Sequence, residues 1–233
     1  MCGRYALISP PDVVRRAFGY AETPNFPPRA NIAPTQPVAL AAQGPGGRRF
    51  HLARWGFLPG FVKDPKGFPT LINARAEGLA DKASFRGAAR RRRCLFLADG
   101  WYEWRRTPGP GRAVFRQPFL FRRRDGAPFG IAGLYETWSD PFGGEMDTAA
   151  LITVPAGALG AAIHPRAPAV IAPEDFDQWL DCADDKKVHP ALALLRPAEA
   201  AQFVAFEVGP RVNNATHEGL DLQDPVDETS AWR

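Results

Sequence analysis

The stretch Cys94-Leu95-Phe96-Leu97-Ala98-Asp99-Gly100-Trp101-Tyr102-Glu103-Trp104 decides the fold class. Its first five residues form a short apolar run, the length of a buried strand. A second strand is expected at 101–105, with Glu103 set among aromatic side chains. Outward from this pair, further strands are expected near 38–40, 50–55, 114–122, 129–135, 148–154 and 203–208, the first two around a Gly-rich hairpin at 44–47. Ser9-Pro10-Pro11-Asp12 reads as a helix start leading into 13–18 and stopping at Gly19. Helices are also expected at 79–91, 155–163, 172–180 and 190–195. In the third of these, an early Pro and acidic residues in the first turn suit a helix start. Segments 21–36 and 56–72 read as loops, the latter carrying Phe57, Phe61 and Phe68, and the Thr-Pro-Gly-Pro-Gly stretch within 105–113 reads as a mobile tip. No repeat or linker divides the chain. The expectation is one α+β domain of mainly antiparallel strands with short helices, spanning 1–222, followed by a polar, frayed tail at 223–233.

The chain has 233 residues, 45% hydrophobic and 23% charged, enough for one sizeable core. Gly (22) and Pro (24) are abundant, which suits many short strands and loops. Three cysteines make no disulfide framework. No signal peptide or apolar run of spanning length is visible, so a cytoplasmic protein without a membrane partner is expected, with a nuclear setting equally allowed in a cell that has a nucleus.

The net charge of +4 is unevenly spread. From Arg86 to Arg124 there are 12 Arg and no Lys against only Asp99 and Glu103, about +10, while the rest carries 17 basic and 23 acidic residues, about −6. Such a concentration points to an anionic backbone as partner. The alternative is that these arginines pair with acids elsewhere in the chain. Arg, with its planar fork, favours the phosphate reading.

Four clusters carry candidate chemistry. Met1-Cys2-Gly3-Arg4-Tyr5 places a cysteine after the initiator methionine. Removal of Met1 leaves an α-amine of pKa about 7.7–8.0 beside a thiol of about 8.5. An aldehyde can condense with that amine, and the thiol can then close a five-membered thiazolidine ring. Equally, Cys2 can be a small residue that merely tolerates processing. In Ile72-Asn73-Ala74-Arg75-Ala76-Glu77, alternation puts Asn73, Arg75 and Glu77 on one face of an extended segment. Asn can orient a nucleophile and Arg can hold phosphate, although polar strand faces are common. Glu103, if buried among its aromatic neighbours, becomes a usable general acid or base; otherwise it is an exposed strand carboxylate. His164, in Ile163-His164-Pro165-Arg166-Ala167-Pro168, can move protons near neutral pH or serve structurally. No zinc spacing or phosphate-binding Gly loop is present, so no metal or cofactor is expected.

Taken in order, the clusters resemble the SRAP (SOS response-associated peptidase) family from Cys2 to about Pro225. The matches are Met-Cys-Gly-Arg-Tyr at 1–5, Asn-Ile-Ala-Pro-Thr at 31–35, Trp55-Gly56, Ile-Asn-Ala-Arg-Ala-Glu at 72–77 and Arg-Cys-Leu-Phe-Leu-Ala-Asp-Gly-Trp-Tyr-Glu-Trp at 93–104. They continue with Ala-Gly-Leu-Tyr-Glu-Thr-Trp at 132–138, His-Pro-Arg-Ala-Pro at 164–168 and Val-Asn-Asn at 212–214. The resemblance implies strands curled into a barrel-like core, and a monomeric sensor of abasic sites in single-stranded DNA, nucleoid-associated when bound to DNA. Cys2 is then the crosslinking nucleophile, Asn73 places Cys2 and the opened sugar, Glu103 moves protons during Schiff-base formation, and His164 acts in ring opening and crosslink reversal. Met1 removal accounts for the peptidase label. Arg4, Arg75, Phe61, Arg86 and Arg166 are the implied DNA-binding residues. The chain departs from the family pattern at Ala167, usually Met, and at Phe61-Val62, where relatives often carry tryptophans. Two other functions compete with covalent capture: a cysteine peptidase or amidohydrolase using Cys2, Asn73 and His164, and a non-covalent binder of single-stranded DNA.

Overall fold

The structure, a computed structural model, describes residues 2–108, 111, 114–140 and 143–226. In chain order the elements are β1 (Tyr5–Leu7), α1 (Pro11–Phe18), β2 (Arg29–Ile32), β3 (Pro37–Gly44), β4 (Gly47–Trp55), β5 (Asn73–Arg75), α2 (Arg86–Arg91), β6 (Arg93–Ala98) and β7 (Gly100–Pro108). They continue with β8 (Val114–Arg123), β9 (Phe129–Ser139), β10 (Glu145–Pro155), β11 (Arg166–Pro168), β12 (Val170–Ile171), α3 (Phe176–Leu180), α4 (Val188–Leu192) and β13 (Phe203–Glu207).

The apolar run at 94–98 lies in β6, whose six residues are all buried. It pairs with β3 on one side and β9 on the other. β3 continues to β4, β4 to β10, and β10 back to β9, which closes a five-stranded barrel. All of these pairings are antiparallel except β4 with β10. Closure leaves the five strands without a free edge on the barrel path. A second, antiparallel sheet in the order β13-β8-β7-β1-β2 packs beside it. Tyr5 of β1 joins the two layers, meeting Trp55 edge-on at 5.4 Å and Phe96 at 6.2 Å between ring centroids. Trp101 of β7 stacks on Phe121 at 4.7 Å from the same layer.

The fold departs from the sequence reading in several places. Residues 155–163 form no helix. β10 runs to Pro155, and the chain then makes tight turns, with Gly160 N–H donating to Gly157 O and His164 N–H to Gly160 O. Two glycines disfavour a helix here, and Ala156 N–H donates to Pro165 O, folding the segment back on itself. Of 79–91 only Arg86–Arg91 is α-helical. Leu79 and Phe85 are both buried, six residues apart, a spacing that no one face of a straight helix carries. The segment 21–36 contains β2, and the last expected helix lies earlier, at Val188–Leu192. The strands flanking the expected tip at 105–113 extend to Pro108 and from Val114; residues 109, 110, 112 and 113 lie outside the described ones. The first residues of the polar tail expected at 223–233 are held in place. Residues 220–223 form a 3-10 turn with Leu222 and Gln223 buried, and Val208 bridges to Pro225; the remainder of the expected tail, 227–233, lies outside the described residues.

Gly133 of β9 shows how little room the barrel has. A Cβ there would stand 2.6 Å from the Phe96 ring and 3.1 Å from Cys94 Sγ. Gly133→Ala is therefore expected to lower stability by about 1–3 kcal/mol, read as a shift of the urea midpoint; an unchanged midpoint would show that the core yields more easily than this packing implies.

Candidate active site

β10 pairs with β5 in parallel, Leu151 opposite Asn73, and at its end it pairs with β11. That places Asn73 and the His164–Arg166 turn at one end of the barrel. β7 brings Glu103 from the other sheet, and Cys2 precedes β1 beside it.

Cys2 is fully buried. Its carbonyl accepts a hydrogen bond from Asn73 Nδ2 at 2.7 Å, and its Sγ donates to Arg4 O at 3.7 Å. Asn73 Oδ1 is buried with no partner among the described residues. Burial pushes the Cys2 thiol far above its ordinary pKa, and the nearby Glu103 charge pushes the same way.

Glu103 is 2% exposed, and burial raises its pKa to about 7. Its Oε2 lies 3.8 Å from His164 Nδ1. That nitrogen is in turn 3.0 Å from both the N–H and the carbonyl oxygen of Arg166, which fixes the ring. Burial lowers the His164 pKa, the Arg166 backbone contact opposes the shift, and the charges of Arg106 and Arg166 add to it. A carboxyl titrating near 7 beside a neutral imidazole can give and take protons at neutral pH.

Above this floor opens a cleft of about 320 Å³, lined by Arg4, Trp104, Arg106, Arg116 and Asn213 together with Glu103 and His164. Arg4 Nη1 donates to Asn31 Oδ1 and to Val212 O, each at 2.7 Å. Its guanidinium lies over the Trp104 ring, 5.9 Å from the centroid. Trp104 Nε1 donates to Asn213 Oδ1 at 2.5 Å. Asn31 is fully buried and spends its amide donors on Asn214 O and His217 O, so it holds Arg4 rigidly. The sequence reading assigned no role to Asn31 or Asn213; Arg106 and Arg116 entered it only as members of the Arg-rich segment 86–124, and Trp104 as an aromatic neighbour of Glu103. The signal was the company they keep, since Asn31 and Asn213 stand in segments that had no chemistry of their own.

The other expected DNA-binding residues are not gathered here. β5 ends at Arg75, which is exposed, and Glu77 follows in a 3-10 turn, so the shared face expected of 73, 75 and 77 stops after two residues. Arg166 is held by Glu77 and by the backbone and hydroxyl of Thr153. Arg86 opens α2, and Phe61 is 62% exposed in the 56–72 loop; neither lines the cleft. The Arg-rich segment is dispersed. Arg93 is buried against the carbonyls of Ala89, Trp179 and Asp181, while Arg90, Arg92, Arg105 and Arg123 have acidic partners. Ala167 lines a small pocket together with Glu103 and His164. Among the described residues no group of three or more His, Cys, Asp or Glu can hold a metal ion, and no helix is long and apolar enough to cross a membrane.

The raised Glu103 pKa sets a direction for stability. Between about 4.5 and 7 the unfolded chain has released the proton that the folded chain keeps. Stability therefore falls as pH rises through that window, by on the order of 3 kcal/mol for this group alone. Glu103→Gln is expected to be stabilised relative to the parent at pH 8 and much less so at pH 4.5. Denaturation curves at the two pH values check this; an equal difference at both would refute it.

Residues 1–215 match the family described as SOS response associated peptidase (SRAP). The chain is 32% identical to Abasic site processing protein YoqW of Bacillus subtilis (strain 168), over 95% of this chain and 98% of that one. It is 30% identical to Abasic site processing protein YedK of Escherichia coli (strain K12), over 97% and 100%. A crystal structure of a protein from Bacteroides thetaiotaomicron superposes with a TM-score of 0.83 at 19% identity, over 97% of this chain and 100% of that one, which shows a shared fold. The chain belongs to the SRAP family.

Proposed function

We propose that this protein processes abasic sites in single-stranded DNA by forming a covalent crosslink through Cys2 once Met1 is removed. The observation that carries this is the arrangement at the cleft floor. The Cys2 carbonyl is fixed by Asn73 at 2.7 Å, beside a buried carboxyl titrating at about 7, under an arginine-lined opening. The names of YoqW and YedK support the substrate.

In this reading the Cys2 amine attacks the aldehyde carbon of the ring-opened sugar, and the carbinolamine loses water to give an imine. Glu103 in its acid form supplies the proton that lets the hydroxyl leave. The thiol then adds to the imine carbon and its proton passes to nitrogen, which closes the thiazolidine. The order suits the environment, because a buried thiol held far above its ordinary pKa is a poor first nucleophile. His164, 3.8 Å from Glu103, handles the proton when the ring reopens and the crosslink reverses. The unpartnered Asn73 Oδ1 is available to a sugar hydroxyl or to the new N–H.

Intact mass measured after incubation with an abasic single-stranded oligonucleotide is expected to show loss of Met1 and one adduct per chain. Cys2→Ser should give no adduct that survives denaturation while still binding the strand. Loss of amide hydrolysis in that variant, with parent-level crosslinking, would instead favour a peptidase. A full yield of stable crosslink from a protein with an uncleavable N-terminal tag would refute the free-amine step.

The two proton carriers separate kinetically. Glu103→Gln should slow capture roughly 10²–10⁴-fold, the usual range for a general acid, and flatten the pH dependence around 7. His164→Ala should lengthen the half-life of a preformed crosslink more than it slows capture. A crosslink half-life equal to the parent's would rule out this role for His164.

A further inference from the structure

Arg106 of β7 and Arg116 of β8 stand directly opposite each other in the antiparallel register. Both are exposed and both line the cleft over Glu103 and His164. Like charges placed this way repel and weaken the ribbon. Neighbouring arginines on the same two strands are neutralised, Arg105 by Glu207 at 2.6 Å and Arg123 by Asp125 at 2.5 Å. Arg106 and Arg116 have no acidic partner among the described residues, and Glu103, the one carboxyl lining the cleft, is buried at its floor. Across the opening, Arg4 is already engaged by Asn31, Val212 and the Trp104 ring. The pair is thus two exposed guanidinium groups lining one cleft, with no acidic partner among the described residues.

Directly opposite residues have Cβ atoms about 4.5–5.5 Å apart, and a phosphodiester offers two non-bridging oxygens. One phosphate can accept from both guanidinium groups at once. We propose that Arg106 and Arg116 together seat the phosphodiester of single-stranded DNA next to the captured sugar, recruiting the strand without taking part in bond making. This rests on the crosslinking reading above for the position of the sugar. The phosphate seat itself also applies to an intact strand.

The test compares the parent with the double variant Arg106→Gln/Arg116→Gln in three measurements. The first is anisotropy of an intact single-stranded oligonucleotide over a range of KCl. The second is the rate of adduct formation on an abasic oligonucleotide as a function of its concentration. The third is adduct formation with glycolaldehyde, which carries no phosphate, read by intact mass. The variant is expected to need at least tenfold more abasic strand for half-maximal rate, with the same plateau. Its plot of log affinity against log salt should be shallower by about 0.7, the loss of one phosphate contact on a single strand. Glycolaldehyde capture should match the parent. Arg106→Lys/Arg116→Lys should recover the salt slope but only part of the affinity, because an ammonium lacks the fork. A parent-like salt slope in the Gln variant would overturn the proposal. So would a lowered plateau together with slowed glycolaldehyde capture, which would place the pair in the chemistry or the fold. If the parent captures neither aldehyde, the crosslinking reading fails, and the intact-strand titration still decides the phosphate seat.

Discussion

The pairing of β9 with β10, from Gly133 opposite Leu151 to Ser139 opposite Glu145, is the constraint on which the rest depends. It closes the barrel and fixes the register of β10. That strand then pairs with three further strands: on its second edge β4 at Thr148 and Ala149 and β5 at 151–153, and on the β9 edge β11 at 153–155. Asn73 rides on the second partner, and the turn that holds His164 leads into the third. A one-residue slip of β10 would turn each of its side chains to the opposite face and disturb both at once. The small residues Gly133, Ala149 and Ala150 at this seam let the strands and the Phe96 ring approach closely.

The second sheet supplies what the barrel lacks. Its β7 carries Glu103 on the side facing the barrel, while Trp104 and Arg106 serve the cleft. One central strand therefore presents a buried carboxyl and an exposed cationic side chain on residues of opposite parity. The same alternation explains the environment of Glu103. It shares its face of the sheet with the buried rings of Trp101, Phe119 and Phe121, and so it is desolvated by packing that the sheet needs in any case.

Much of this was legible in the sequence because it is local. The apolar run at 94–98, the helix ending at Gly19 and the hairpin at 44–47 each follow from neighbouring residues. Cys2, Asn73, Glu103 and His164 stood out as chemical types in telling company, and the ordered motifs joined them. What the sequence concealed is pairwise and distant. That Asn31 restrains Arg4, that Asn213 receives Trp104, and that Arg166 is held by Glu77 depend on contacts 27 to 109 residues apart. Charge counting misled for a related reason. It cannot distinguish Arg93, enclosed by carbonyls at the ends of α2 and α3, from Arg116 in the open, although both add one to the same sum. The helix expected at 155–163 failed because the apolar residues there serve turns rather than a helical face.

The enclosure of Cys2 has a consequence for the lifetime of the protein. Peroxides and alkylating agents attack thiolates, and they need access. A sulfur that is shielded from solvent and held almost wholly protonated at neutral pH offers neither. The Cys2 thiol is thus kept in reduced form without a partner cysteine, and its durability comes from the packing that encloses it.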